Sequence, residues 1–387
     1  VKITSVTANL LNTPIPEELR VESGAGLKLM RQMCLVRIET DTGLVGFGSP
    51  SGPYDLAVLG RIVEHVIGPH LVGQELGEHS RLWNHVYTGE VTRNLGTRGV
   101  GVAALSGVDM ALWDLRGKAA GLPLYELLGG LYHAEGVRTY ASSIYWKLTP
   151  EQAAEEARSW IDRGFTAVKL KVGREPRKDA ERVRAIREAI GPDNDLLVDG
   201  NQALSRSDAL AMLPVLEEAG VYWFEEPIDI DDIEGHAMLR AARRSVRIAT
   251  GENHYTASAF LPFVQADAID VLQADVSRAG GITEVQKIQA FARAHHLQWN
   301  PHTFNDILTV VSNLHLVAAS PHPAMFEWDV TYNELMTHLT TEPIEVRGGL
   351  LFPPDGPGLG IEIDEDFVAE HVWAGERSIG TGAGMRV

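Results

Sequence analysis

The residues best able to do chemistry are three acids, each closing a short apolar run. Asp199 follows Leu196-Leu197-Val198, Glu225 follows Val221 to Phe224, and Gly251-Glu252 follows Val246 to Thr250. Short branched and aromatic runs bounded by turn residues read as buried parallel strands. The acids stand 26 and 27 residues apart, one strand-plus-helix unit, which sets them at the same height on three successive strands. In an α/β barrel, residues at the C-terminal ends of strands face the active site. Three hard carboxylate oxygens, with no Cys or His among them, suit an oxygen-seeking dication, Mg2+ above others. One such acid alone is an ordinary solvated loop residue; the matched spacing of three is what points to a metal.

One strand earlier comes Val168-Lys169-Leu170-Lys171-Val172. Residues two apart on a strand point to the same face, so Lys169 and Lys171 should both reach the barrel mouth beside the metal. A lysine near a dication and a second ammonium is pushed toward its neutral form and becomes a base near neutral pH. The ladder continues with Asp275, His302 and Glu327, at intervals of 23, 27 and 25 residues. A histidine with a carboxylate on the neighbouring strand end is an acid/base pair, because the carboxylate fixes the tautomer and raises basicity. The chain has 14 histidines; His302 stands out by its place in the ladder.

These side chains need a frame. From Gly136 the sequence alternates strictly, with strands near Arg138–Ser142, Ala167–Lys171, Leu196–Asp199, Tyr222–Glu225, Arg247–Gly251, Ile269–Leu272, Leu297–Asn300 and Ala324–Phe326. Seven helical stretches lie between and after them. The fold class is therefore α/β, a (β/α)7β-type TIM barrel over residues 131–343, with the eighth helix replaced by the tail. An open doubly wound sheet would want a Gly-rich phosphate turn after its first strand, and Ala141-Ser142-Ser143-Ile144-Tyr145 offers none. Residues 1–130 differ: a first strand, a hairpin of Cys34–Thr40 and Leu44–Gly48 around Asp41-Thr42-Gly43, then helices ending at Gly121-Leu122-Pro123. This α+β segment reads as a capping domain, and the turn-rich tail, residues 344–387, should return to complete it. The polar segment Pro14 to Arg31 is long enough for a mobile lid that sets specificity.

A formal charge of −18 with no basic stripe argues against nucleic acid or an anionic membrane as partner. An acidic substrate must then be drawn in by a local positive island. A single cysteine, Cys34, excludes a disulfide framework and suits a reducing, cytoplasmic setting. The N-terminus runs straight into a strand without an apolar leader, and no 18-residue apolar window offers a membrane span.

The set Lys169-x-Lys171, Asp199-x-Asn201, Glu225-Glu226-Pro227, Gly251-Glu252-Asn253, Asp275 with Gly280-Gly281, His302 and Glu327 resembles the enolase superfamily, mandelate racemase subgroup. The resemblance covers nearly the whole chain. It implies Mg2+ on Asp199, Glu225 and Glu252, with Lys171 as base on one substrate face and His302, oriented by Asp275, on the other. It further implies Lys169 as the cationic partner of a substrate carboxylate, Glu327 hydrogen-bonded to that carboxylate as an enediolate, and Asn201 near the substrate. The muconate-lactonizing branch carries a second lysine where Asp275 stands, so the mandelate racemase branch fits better. The expected substrate is a small carboxylate, an acid sugar, and the expected assembly a homo-oligomer. After loss of the α-proton three outcomes remain open: dehydration to a 2-keto-3-deoxy acid, cycloisomerisation of a lactone, or racemisation. Arg20 or Lys28 on the lid would pair with a distal carboxylate, and Tyr145, with Trp146, would wall the pocket. A catalytically retired binding or structural protein would have lost a metal ligand or both bases, and neither loss is seen.

Overall fold

The computed structural model describes residues 1–52, 55–322 and 324–373. The first strand, Ile3–Pro14, pairs antiparallel with Met30–Thr40, which turns back through Asp41–Gly43 into Val45–Gly48. Against this three-stranded sheet lies the helix Val100–Ala120, buried along most of its length. Two glycines make that approach possible. A Cβ on Gly48 would stand 2.0 Å from the Gly107 carbonyl oxygen, and one on Gly46 would stand 2.3 Å from that of Ala111. The helix ends at Gly121 in the left-handed conformation, φ 69°.

Eight parallel strands follow: Val137–Ser142, Ala167–Lys171, Asp195–Asp199, Val221–Glu225, Arg247–Thr250, Val271–Leu272, Gln298–Trp299 and Phe326–Asp329. Each pairs with its sequence neighbour from the first to the seventh, and the eighth pairs with the first. The seventh and eighth are joined by a side chain, as Asn300 Nδ2 donates to the Met325 carbonyl at 2.7 Å. Inside the ring, Tyr140, Leu197, Trp223, Val271 and Met325 form a packed apolar layer, so the barrel has a floor and is no pore. A larger core lies between strands and outer helices. Four of the barrel helices start on side-chain caps: Thr149 and Gln152 form a capping box, and Ser205, Asp232 and Asp306 each accept from a backbone N–H of the first turn.

After the eighth strand comes the short helix Glu334–Thr337, and the chain then runs along the barrel. Leu350–Leu351 adds antiparallel to Val137 and Arg138. The helix Glu365–His371 approaches the first sheet, where Arg37 binds Glu365 at 2.5 Å and Trp373 N donates to Leu10 O at 2.8 Å. Residues 374–387 of the expected tail lie outside the described residues.

The segment Pro14 to Arg31 departs from the expected long open loop. Pro14 and Arg31 themselves belong to paired strands, and the span between holds a 3-10 turn, Glu17–Leu19, and a ribbon of Glu22–Ser23 with Gly26–Leu27. The reason lies in its inward apolar residues: Ile15 and Val21 are buried, which a solvated loop would not achieve. The ribbon docks on the barrel, with Trp146 N donating to Glu22 O and Lys147 Nζ to Arg20 O. A Cβ on Gly24 would stand 2.7 Å from the Asn201 carbonyl oxygen, so the ribbon tip rests on the mouth itself.

Candidate active site

Asp199 and Glu225 are the last residues of the third and fourth barrel strands and face each other in register. Glu252 follows the fifth strand through Gly251, whose φ of 147° and packing on the Gln273 backbone leave no room for a side chain. All three acids are buried, and each offers an oxygen within 4.8 Å of the others. Glu252 Oε2 and Asn201 Oδ1 are buried without a hydrogen-bond partner. The charge balance points the same way: burial and the neighbouring Asp199 push the Glu225 carboxyl up to about 8. Burial, Glu252 and Asp199 likewise push Glu226 well above the carboxylate range, although Gln202 and Asn253 donate to it. An all-oxygen cluster of three buried carboxylates with surplus negative charge fits a hard dication.

Lys169 is fully buried, 2.6 Å from Glu327 Oε1, 3.1 Å from Glu225 Oε1 and 3.5 Å from Asp199 Oδ2. Despite burial, Glu225 and Glu327 raise it far above the ordinary lysine value. Glu327, although buried, is pulled down to about 2, chiefly by Lys169, and its Oε2 accepts from Thr303 N at 3.1 Å. Lys171 donates to Asp199 Oδ2, and that carboxylate outweighs burial and raises it too. The expected neutral lysine is thus not what the protein's own charges produce. Asp199 supplies more stabilisation of the ammonium than Lys169 supplies repulsion.

His302 Nδ1 lies 2.7 Å from Asp275 Oδ2, and Nε2 lies 3.3 Å from Glu252 Oε2. Burial disfavours the imidazolium, but Glu252 and the Asp275 hydrogen bond overcome it and lift His302 to about 9. Asp275 is held in place by Ser277, whose N and Oγ both donate to Oδ1, at 2.8 and 2.5 Å.

Over the mouth, a cavity of about 540 Å3 has Lys28, Asn201, Glu226, Glu252, Arg278 and Asn305 in its wall. Lys28 is pushed down to about 8 by burial and by Arg31 and Arg278, with its Nζ 5.5 Å over the Phe304 ring. Arg31 is itself spent on Asp329, at 2.9 Å. Arg20 is not brought to this cavity; its Nε donates to Ile15 O. Tyr145 is buried in the wall behind the first barrel strand, its hydroxyl raised by burial and the Asp329 charge. Trp146 is pinned there by its Nε1–H to Val172 O.

Arg278 and Asn305 were not singled out by the sequence, and Glu226 and Asn253 only as parts of motifs. Residues one past a strand-end acid turn over the mouth, and that is the signal that marks Glu226 and Asn253. Arg278 is almost fully buried and binds Asn253 Oδ1, Glu252 O and Ser51 Oγ, tying barrel loops to the cap.

This frame and this ladder of acids, lysines and histidine define an enolase-type barrel, and sequence comparison assigns the family. Residues 16–129 match the mandelate racemase / muconate lactonizing enzyme N-terminal domain, and residues 152–367 match the enolase C-terminal domain-like family. The chain belongs to the enolase superfamily, mandelate racemase subgroup. A D-galactarolactone cycloisomerase from Agrobacterium fabrum is 33% identical over 95% of this chain and 98% of its own. An arabinonate dehydratase from Saccharolobus solfataricus is 34% identical over 88% of this chain and 90% of its own. A crystal structure from Bordetella bronchiseptica RB50, provisionally described as a mandelate racemase, is 64% identical, covering 99% of this chain and 98% of that one, with TM-score 0.97. The protein is an enzyme of this subgroup, a lyase or isomerase. No helix among the described residues is long and apolar enough to cross a membrane.

Proposed function

We propose that this enzyme dehydrates an acid sugar, an aldonate or aldarate, to a 2-keto-3-deoxy acid, with Mg2+ on Asp199, Glu225 and Glu252. The observation that carries the reading is the placement of His302, held through Nδ1 by Asp275 at 2.7 Å with Nε2 turned into the mouth, 3.3 Å from Glu252 Oε2. An imidazolium at neutral pH is the acid that a departing β-hydroxyl needs. The polar mouth supports a polyhydroxylated chain, since Asn201 Oδ1 and Asn305 Nδ2 are buried there without partners.

The metal, when bound, supplies Lewis-acid stabilisation of the charge that develops on the substrate carboxylate. The remaining work falls to side chains. Lys171 takes the α-proton from one face as the neutral amine, having first released its own ammonium proton to solvent; the Asp199 carboxylate that holds that ammonium would be shared with the metal. Lys169 places a buried cation against the substrate carboxylate. Glu327 is ionised while Lys169 holds it, so it donates a hydrogen bond only after the arriving carboxylate draws Lys169 away and Glu327 takes up a proton from solvent. His302 Nε2 then delivers its proton to the leaving hydroxyl, with Asp275 holding Nδ1–H. Lys28 meets a second carboxylate where the substrate is a diacid.

The same pair would open a lactone ring by β-elimination, and one relative is named a cycloisomerase. We place the enzyme in the cytoplasm as a homo-oligomer, on the strength of its lone buried Cys34 and its family. The test is a panel of aldonates, aldarates and their lactones, assayed for 2-keto acid in the presence of Mg2+. A keto product from an open-chain acid sugar is expected. Turnover of lactones alone would replace dehydration by cycloisomerisation.

A further inference from the structure

A second cavity, about 670 Å3, lies at the opposite end of the barrel from the acids. Its wall includes the N-terminal ends of four strands: Arg138 in the first, Tyr222 in the fourth, Gln298 in the seventh, and Met325 just before the eighth. The apolar layer of Tyr140, Trp223 and Val271 separates it from the catalytic mouth. In a protein of net charge −18, this cavity is basic. Arg138, Arg293, His133, His296 and His322 line it, and no carboxylate does so among the described residues.

The groups differ in how they are employed. Arg138 is paired, 2.7 Å from Asp195. Tyr222 donates to Gln298 Oε1 and Gln298 Nε2 donates to Asn300 Oδ1, so the neutral floor satisfies itself. His133 Nε2 faces the Ser320 carbonyl at 3.0 Å. Arg293 has no carboxylate partner among the described residues. Burial and the Arg293 charge hold His322 below its ordinary value, so Arg293 stands near enough for its charge to reach this histidine. Helix dipole compensation accounts for Arg293 and His296, at the C-terminal end of Ile282–Ala294. It does not account for His133, Arg138 and His322, which arrive from three other segments.

We infer that this basal cavity binds a small organic anion, a phosphate ester or a di- or tricarboxylate, at a site separate from the catalytic one. The guanidinium of Arg293 offers a planar fork of donors that matches phosphate or carboxylate in two-point contact, and the histidines add single donors around it. Leu297, Ala324 and Met325 supply an apolar wall for the carbon skeleton. The volume is that of a small-molecule site.

The test is calorimetric titration of the whole Mg2+-loaded enzyme with inorganic phosphate and, separately, succinate. It is repeated on Arg293→Gln/His296→Gln, whose two positions are exposed and outside the core, and on His302→Asn. One anion per chain should bind the wild type, and the probe that binds distinguishes the phosphate from the carboxylate source. Affinity should fall about tenfold or more in the basal double variant, since each charged hydrogen bond is worth that much. It should be unchanged in His302→Asn, while the basal variant keeps wild-type turnover and unfolding temperature. The inference is overturned if neither probe binds, if the basal variant binds as the wild type does, or if the only binding seen is lost with His302.

Discussion

Asp275 Oδ2 and His302 Nδ1 meet at 2.7 Å across the ends of the sixth and seventh barrel strands. The carboxylate is wholly buried, and burial alone would favour its neutral form; His302 and Ser277 reverse this and hold it below the usual carboxylate range. The pair therefore fixes the imidazole in one orientation, with Nε2 turned toward Glu252. Asp275→Asn should keep the geometry and lose the charge. Turnover should fall by about 100- to 10,000-fold, the usual worth of an acid/base group. Its pH profile should also lose activity at lower pH than the wild type, because the imidazolium persists only up to about 9 with Asp275 in place. A profile with the same alkaline limb in both proteins would remove His302 as the acid.

Glu225→Gln should separate metal binding from folding. Burial and Asp199 already press this carboxyl toward neutrality, so a neutral amide of similar shape relieves repulsion. Mg2+ affinity by calorimetry should drop by at least about 100-fold, while the unfolding temperature of the metal-free protein stays within a few degrees. A variant that binds Mg2+ as the wild type does would dissolve the proposed ligand set.

Lys28 and Arg20 should behave differently, although both lie on the same segment. Lys28 lines the mouth next to Arg278, whereas Arg20 is turned onto Ile15 O. Lys28→Met should raise KM for diacids by about tenfold relative to monoacids, the worth of one charged contact. Arg20→Met should leave that ratio alone. Equal losses for diacids and monoacids in Lys28→Met would leave the lid only a closing role.

Much of the site was legible because strand-end residues recur at the βα period, and that period survives in the sequence whatever the loops do. Asp199, Glu225, Glu252, Asp275, His302 and Glu327 were all found this way, and the structure brings them together. Arg278 was hidden because it reaches the site from a loop, by a path that no spacing encodes. The docked form of the lid was hidden for a related reason: its charges and glycines suggest solvent, while Ile15 and Val21, two burials among many polar residues, carry the docking. The charge state of Lys171 was beyond the sequence, since it depends on which oxygen of Asp199 comes closest.

Away from the site, Glu217 gives a clean pH signature. Its carboxylate accepts from the N–H groups of Arg244, Ser245 and Val246 and from Ser245 Oγ. Slight burial opposes the charge, but these bonds, led by Ser245, pull it down to about 2. A depressed acid stabilises the fold above its unfolded value, near 4.5, and that contribution is lost as pH falls through about 2. Glu217→Gln should cost no more than about 1 kcal/mol at pH 7, given its exposure to solvent. The cost should vanish near pH 2 in urea titrations; an equal cost at both pH values would assign it to lost packing.

The two bases are the centre of the account, and isotope exchange reads them separately. The measurement is incubation of His302→Asn and Lys171→Ala with the acid sugar in D2O and Mg2+, following the α-proton by NMR alongside 2-keto acid formation. With Lys171 as base and His302 as acid, His302→Asn should exchange the α-proton for deuterium while forming no keto product, because enolisation survives when only the acid is missing. Lys171→Ala should do neither. Full dehydration by both variants, or exchange in Lys171→Ala with none in His302→Asn, would contradict the assignment.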